Sequence, residues 1–157
     1  LILSQLLDFC RRGGTGTSAM NDYEIIEHTA DIGIRAFGDT QKSLFENAAA
    51  GMFSLICDPS LVRDAVAFPV SLEAEDRETL LVEWLNELLF LFEARSIIFG
   101  RFEVDRISEV RLTATAYGES LDRERHRLMA DIKAVTYHML RVIRTDGRWE
   151  ATVIFDV

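Results

Sequence analysis

Along this chain the spacing of apolar residues changes several times, and each change marks an element. Tyr23 to Glu27 and Ile32 to Phe37 read as short strands, the second placing Ile32, Ile34 and Ala36 on one face. Gly38-Asp39-Thr40 breaks that alternation and supplies a helix N-cap. The helix that follows carries Leu44, Phe45, Ala48, Ala49, Met52 and Phe53 as a one-sided stripe, and Asp58-Pro59 ends it. Ala67 to Ala74 reads as a third strand. Asp76 then caps a longer helix whose buried side holds Leu80, Leu81, Trp84, Leu85, Leu88, Leu89 and Phe92. At that spacing Trp84 is core packing and not a ligand platform, while Glu83, Asn86, Glu87 and Glu93 form a solvated face. The period then returns to two over Ile97 to Val104 and Val110 to Tyr117. Gly118 to Arg127 reads as a polar connection of mixed charge that makes no usable basic patch. Strands that do not alternate regularly with helices predict an α+β fold, with mostly antiparallel sheet and two main amphipathic helices packed on it.

The last segment predicts its own pairing. Asp146-Gly147 is a two-residue type I′ turn signal, because both central positions need positive φ. Counting outward pairs Thr145 with Arg148, Val142 with Ala151, Leu140 with Val153, His138 with Phe155 and Tyr137 with Asp156. Val142, Leu140, Ala151, Val153 and Phe155 then share the core face, where His138 is a packed histidine. Asp156 falls on the other face with Tyr137, Val135 and Lys133.

At 157 residues the length suits one domain. The formal net charge of −9 disfavours non-specific attraction to phosphate backbones, so no tight direct nucleic-acid binding is expected. Cys10 and Cys57 fit no metal spacing and read as reduced thiols of a cytosolic, hence cytoplasmic, protein. Residues 1–19 differ from the rest: a short apolar run, then Arg11-Arg12 and a Gly/Thr/Ser stretch. The order is the reverse of a secretory signal, and the run is too short to span a bilayer, so no membrane association is expected. These residues read as a disordered extension upstream of a natural start at Met20, with one domain over 20–157.

Candidate chemistry is sparse. Neither a GxGxxG nor a P-loop motif is present. His28-Thr29-Ala30-Asp31 sets a histidine and a carboxylate at a strand junction, where the acid alone is a turn former. Asp156, held out of the core by its hairpin, is a second acid that could join it. Two neighbouring carboxylates repel, and a hard divalent cation removes that conflict.

His28-Thr-Ala-Asp-Ile-Gly-Ile34, Trp84-Leu-Asn-Glu-Leu-Leu-Phe90, Gly118-Glu-Ser-Leu-Asp122, Asp131-Ile-Lys-Ala-Val-Thr-Tyr-His138 and Val153-Ile-Phe-Asp-Val157 together resemble the archease family, in order, from about Met20 to Val157. The resemblance implies a small α+β protein that is not itself a catalyst. It implies an activator of an RtcB-type RNA ligase in tRNA splicing or RNA repair, promoting guanylylation of the ligase histidine and repeated turnover. It also implies a divalent-cation site made by Asp31, Asp156 and the backbone oxygen of Val157. Oxygen donors suit Ca²⁺ first, then Mg²⁺ or Mn²⁺. His28 orients the site from outside or caps a turn. Lys133 is a partner or phosphate contact, or else a solvated charge paired with Asp131. Two other functions compete. A small metal-dependent phosphoester hydrolase would use the same acids, but no general base or nucleophile accompanies them. A direct RNA chaperone is opposed by the acidic core and by a missing Arg/aromatic platform.

Overall fold

The computed structural model describes residues 22–28 and 31–157, so the reading of residues 1–19 lies outside the described residues. Among the described residues seven strands form two antiparallel sheets, in keeping with the expected α+β class. Strands β1 (Tyr23–His28), β2 (Asp31–Gly38), β6 (Ala134–Thr145) and β7 (Arg148–Asp156) make the first, in the order β1-β2-β7-β6. Strands β3 (Val66–Glu73), β4 (Ile97–Ile107) and β5 (Arg111–Ser120) make the second, in the order β3-β5-β4. Helix α1 (Gln41–Ile56) packs on β2 of one sheet and β4 of the other. Helix α2 (Arg77–Arg95) lies against β6, and the short α3 (Arg123–His126) follows β5. Among the described residues no helix is long and apolar enough to cross a membrane.

Local chemistry sets the helix starts. Thr40 and Ser43 form a reciprocal capping box on α1, and Asp76 accepts the Thr79 N–H at α2, as the sequence predicts. The apolar stripes meet in one core. Trp84 is fully buried, with its Nε1–H donating to the Phe45 carbonyl at 3.0 Å, so it packs and does not face a ligand. Phe102 packs edge to face on Trp84, and Phe53 packs edge to face on Phe99 and tilted on Phe102.

The C-terminal hairpin departs from its predicted register. Thr145 pairs with Arg148 and Val142 with Ala151, and Asp146 and Gly147 both have positive φ, as a type I′ turn requires. Beyond Arg141↔Thr152 the ladder slips, and the next pair is Thr136↔Ile154, so Tyr137 to Leu140 all stand opposite Val153. Met139 has φ 55° within this bulge. Phe155 therefore faces Val135 and not His138, and Asp156 faces Ala134 and not Tyr137. His138 is exposed and half-buried Leu140 lies outside the ladder, while Val135, assigned above to the outer face, is buried.

Candidate cation site

β2 and β7 run antiparallel with Ile32 opposite Phe155, both buried. Asp31 precedes Ile32 and Asp156 follows Phe155, so continuing the same register by one step would set the acids opposite each other. Directly opposed residues project to the same face, with Cβ atoms about 4.5–5.5 Å apart. Because Ile32 and Phe155 point into the core, that face is the outer one. Asp31 is half-buried and Asp156 exposed. Strand periodicity thus places at one end of the sheet two acids separated by most of the chain.

Several backbone contacts fix this end of the sheet. Lys133 donates its N–H to the Asp156 carbonyl at 2.8 Å, and Ala134 pairs with Asp156. Asn86 on α2 accepts the Val135 N–H through Oδ1 at 3.1 Å, tying the start of β6 to the helix. The sequence reading placed Asn86 on a solvated face and missed this role, although the residue sits within the Trp84-Leu-Asn-Glu stretch. His28 pairs with Asp31 in the β1–β2 register, and Thr29 and Ala30 lie outside the described residues. Val157 follows β7 and is exposed. Lys133 and Asp131 are both exposed, and no ion pair joins them among the described residues.

Among the described residues no three His, Cys, Asp or Glu side chains converge on one point. A cation held between Asp31 and Asp156 would have these two carboxylates and main-chain oxygen as its protein donors. Hard oxygen donors on an open face fit Ca²⁺ or Mg²⁺, which keep waters in their remaining positions, and do not fit a structural zinc.

A second polar cluster, read above as part of a connection, is buried. Glu119 accepts from Arg125, from the Arg63 N–H at 2.7 Å and from His126 Nε2 at 3.1 Å. His126 is fully buried, and its Nδ1 accepts the Asp122 N–H at 2.9 Å, which assigns the ring proton to Nε2. Burial opposes the Glu119 charge, but the hydrogen bonds from Arg125, Arg63 and His126 outweigh it and lower its pKa from 4.5 to about 2. The cluster holds α3, after which Met129 and Ala130 donate N–H groups to Ile56 and Leu55 and lead the chain to Lys133. Burial, with Asp58 adding to it, pushes the Cys57 thiol up to about 11, so it stays a protonated thiol donating to the His126 carbonyl.

This predicts an acid-sensitive contribution to stability. Above pH 4.5 Glu119 is ionised in folded and unfolded chains alike, and its stabilisation is complete. As pH falls from 4.5 toward 2 the unfolded chain takes up the proton first, and the stabilisation is lost. Urea midpoints should therefore separate wild type from Glu119→Gln at neutral pH, draw together as pH falls below 4.5, and converge only near pH 2. A gap that stayed constant over this window would refute the assignment.

At the opposite end of the first sheet, Arg77 lies over the Trp149 ring at 4.7 Å, Arg144 at 5.8 Å, and Arg148 lies over Phe37 at 4.1 Å. An Arg/aromatic cluster therefore exists, contrary to the sequence reading, but these rings are already covered by the chain's own guanidinium groups.

Comparison with known proteins places this chain among relatives. The model of the Archease protein family (MTH1598/TM1083) matches residues 23–157. The protein archease of Methanosarcina acetivorans is 45% identical over 139 residues, covering 86% of this chain and 95% of the relative. The solution structure of Methanobacterium thermoautotrophicum protein 1598 superposes with a TM-score of 0.77 at 40% identity, covering 88% of this chain and all of the other. A Thermotoga maritima protein, described as an archease and possible chaperone, shares the fold with a TM-score of 0.58 at 20% identity, covering 89% and 99%.

Proposed function

The chain belongs to the archease family, and from that premise we propose that it is an accessory protein of an RtcB-type RNA ligase. It promotes guanylylation of the ligase and so permits repeated turnover, and is not itself the catalyst. The observation that supports this reading is the β2–β7 register, whose last pair, Ile32 opposite Phe155, leaves Asp31 and Asp156 as the next residues at the same end of the sheet. In this reading Asp31, Asp156 and the backbone oxygen of Val157 hold a divalent cation, Ca²⁺ first. A bound cation supplies positive charge that can draw phosphate oxygens. The rest is positioning: the Lys133 N–H occupies the Asp156 carbonyl and Asn86 anchors β6, leaving the carboxylates directed outward. The Thermotoga relative's description as a possible chaperone accords with action on another protein.

The test uses the purified cognate ligase with GTP and divalent metal. Adding this protein should raise ligase–GMP formation and convert a single round of ligation into several. No change in either quantity would sink the proposal.

A further inference from the structure

A cavity of about 440 Å³ opens between the C-terminal end of α2 and the segment that leads from α3 to β6. Its floor is apolar, built from half-buried Phe92, Leu128 and Met129. Its rim carries the exposed carboxylates of Glu93 and Asp131 against the single guanidinium of Arg123, none of them in an ion pair among the described residues. The helix end adds to the negative side. Helix α2 stops at Ser96 in the left-handed conformation, without the backbone cap bond that closes α1 and α3, and Ser96 lines the cavity. The last carbonyls of a helix carry partial negative charge. Arg95, also in the last turn, does not line the cavity. One turn before Glu93, Phe90 is 60% exposed, an unusual place for a phenylalanine unless another surface covers it.

This cavity adjoins the candidate cation site. Asp131 is two residues from Lys133, whose N–H holds the Asp156 carbonyl, a span of less than about 10 Å along the chain. Resting on the function proposed above, we propose that the cavity is a second anchor for the partner ligase. It accepts an apolar side chain of the ligase together with a neighbouring lysine or arginine. The apolar residue enters the floor, the cation meets Glu93, Asp131 and the end of α2, and Phe90, which does not line the cavity, extends the contact along the helix one turn before Glu93.

The test measures binding of the purified cognate ligase to wild type and to Glu93→Lys/Asp131→Lys, Phe90→Ser and Arg123→Glu, each checked for fold by circular dichroism and melting. The charge reversal and Phe90→Ser are expected to weaken binding by about tenfold or more each. Arg123→Glu is expected to tighten it, and added salt to weaken wild type more than the reversed variant. Cation uptake should be the same in all four proteins. Unchanged ligase affinity across the variants would overturn this inference alone. So would a finding that Phe90→Ser abolishes self-association of the chain and leaves ligase binding intact. Absence of any binding by wild type would overturn the functional reading beneath it as well.

Discussion

Asp31→Ala/Asp156→Ala is expected to fold as wild type does, yet to lose cation binding and ligase stimulation together. The acids lie on the outer face, half-buried and exposed, and no described residue pairs or hydrogen-bonds with either carboxylate. Removing them strands no buried partner, so the cost to stability should stay within about 0.5 kcal/mol. Cation binding, by contrast, has no cluster of other side-chain donors among the described residues to fall back on. Changes outside a metal's ligand set already cost about 10–100-fold in affinity, and deleting both carboxylates should exceed that. In wild type, Ca²⁺ at about a hundred times its dissociation constant should add about 2.7 kcal/mol, a rise of several degrees in Tm. The double variant should show no such rise, and its stimulation of ligase guanylylation should fall to the level without added protein. With cation chelated, wild type should be no more stable than the variant, since like charges directly opposed across strands repel. A Ca²⁺-dependent rise of undiminished size in the double variant would remove Asp31 and Asp156 from the site.

The largest loss of stability is expected from the smallest change, Gly118→Ala. Gly118 lies in the central strand β5, between Val66 of β3 and Phe99 of β4. A Cβ there would stand 1.9 Å from the Ile98 carbonyl oxygen, with the Ile98 carbonyl carbon and Phe99 Cα also under 3 Å. All three are backbone atoms held in the ladder, so no side chain can turn aside to make room. The expected cost is on the order of 4–5 kcal/mol, a Tm lower by roughly 10–15 °C. Gly147→Ala is the matched control. Its φ of 75° needs a left-handed residue, but nothing lies within 4 Å, so only the conformational preference of about 1–2 kcal/mol is lost. Equal melting temperatures for the two variants would contradict the packing described for β4 and β5.

What the sequence revealed and what it hid divide along physical lines. Elements set by local chemistry were legible: the Thr40 and Asp76 caps, the amphipathic stripes and the Asp146-Gly147 turn all stand where spacing puts them. Features that depend on distant strands were not. Division into two sheets is a matter of which strands pair, and periodicity says nothing of that. The hairpin count assumed one residue against one, and Tyr137 to Leu140 broke it. Asp156 nevertheless stayed off the core, because its outward position follows from alternation with buried Phe155 within β7 itself. Glu119 and His126 read only as parts of a polar connection of mixed charge, since burial of a charge is decided by partners, here Arg125, the Arg63 backbone and Asp122. The candidate site was legible only as two acids and a family resemblance, and the Asn86 and Lys133 contacts that position it came from the tertiary structure.

The slipped ladder in β6 has one further consequence. β6 is an outer strand of its sheet, and an outer strand with a long, even row of free N–H and C=O groups invites another molecule to add to it. Here the regular run is cut in two between Thr136 and Arg141, with Met139 turned left-handed in the gap. An incoming strand finds no stretch straight enough to zip along. The chain can thus present exposed Tyr137 and Met139 to solvent while guarding that border against open-ended stacking into fibres.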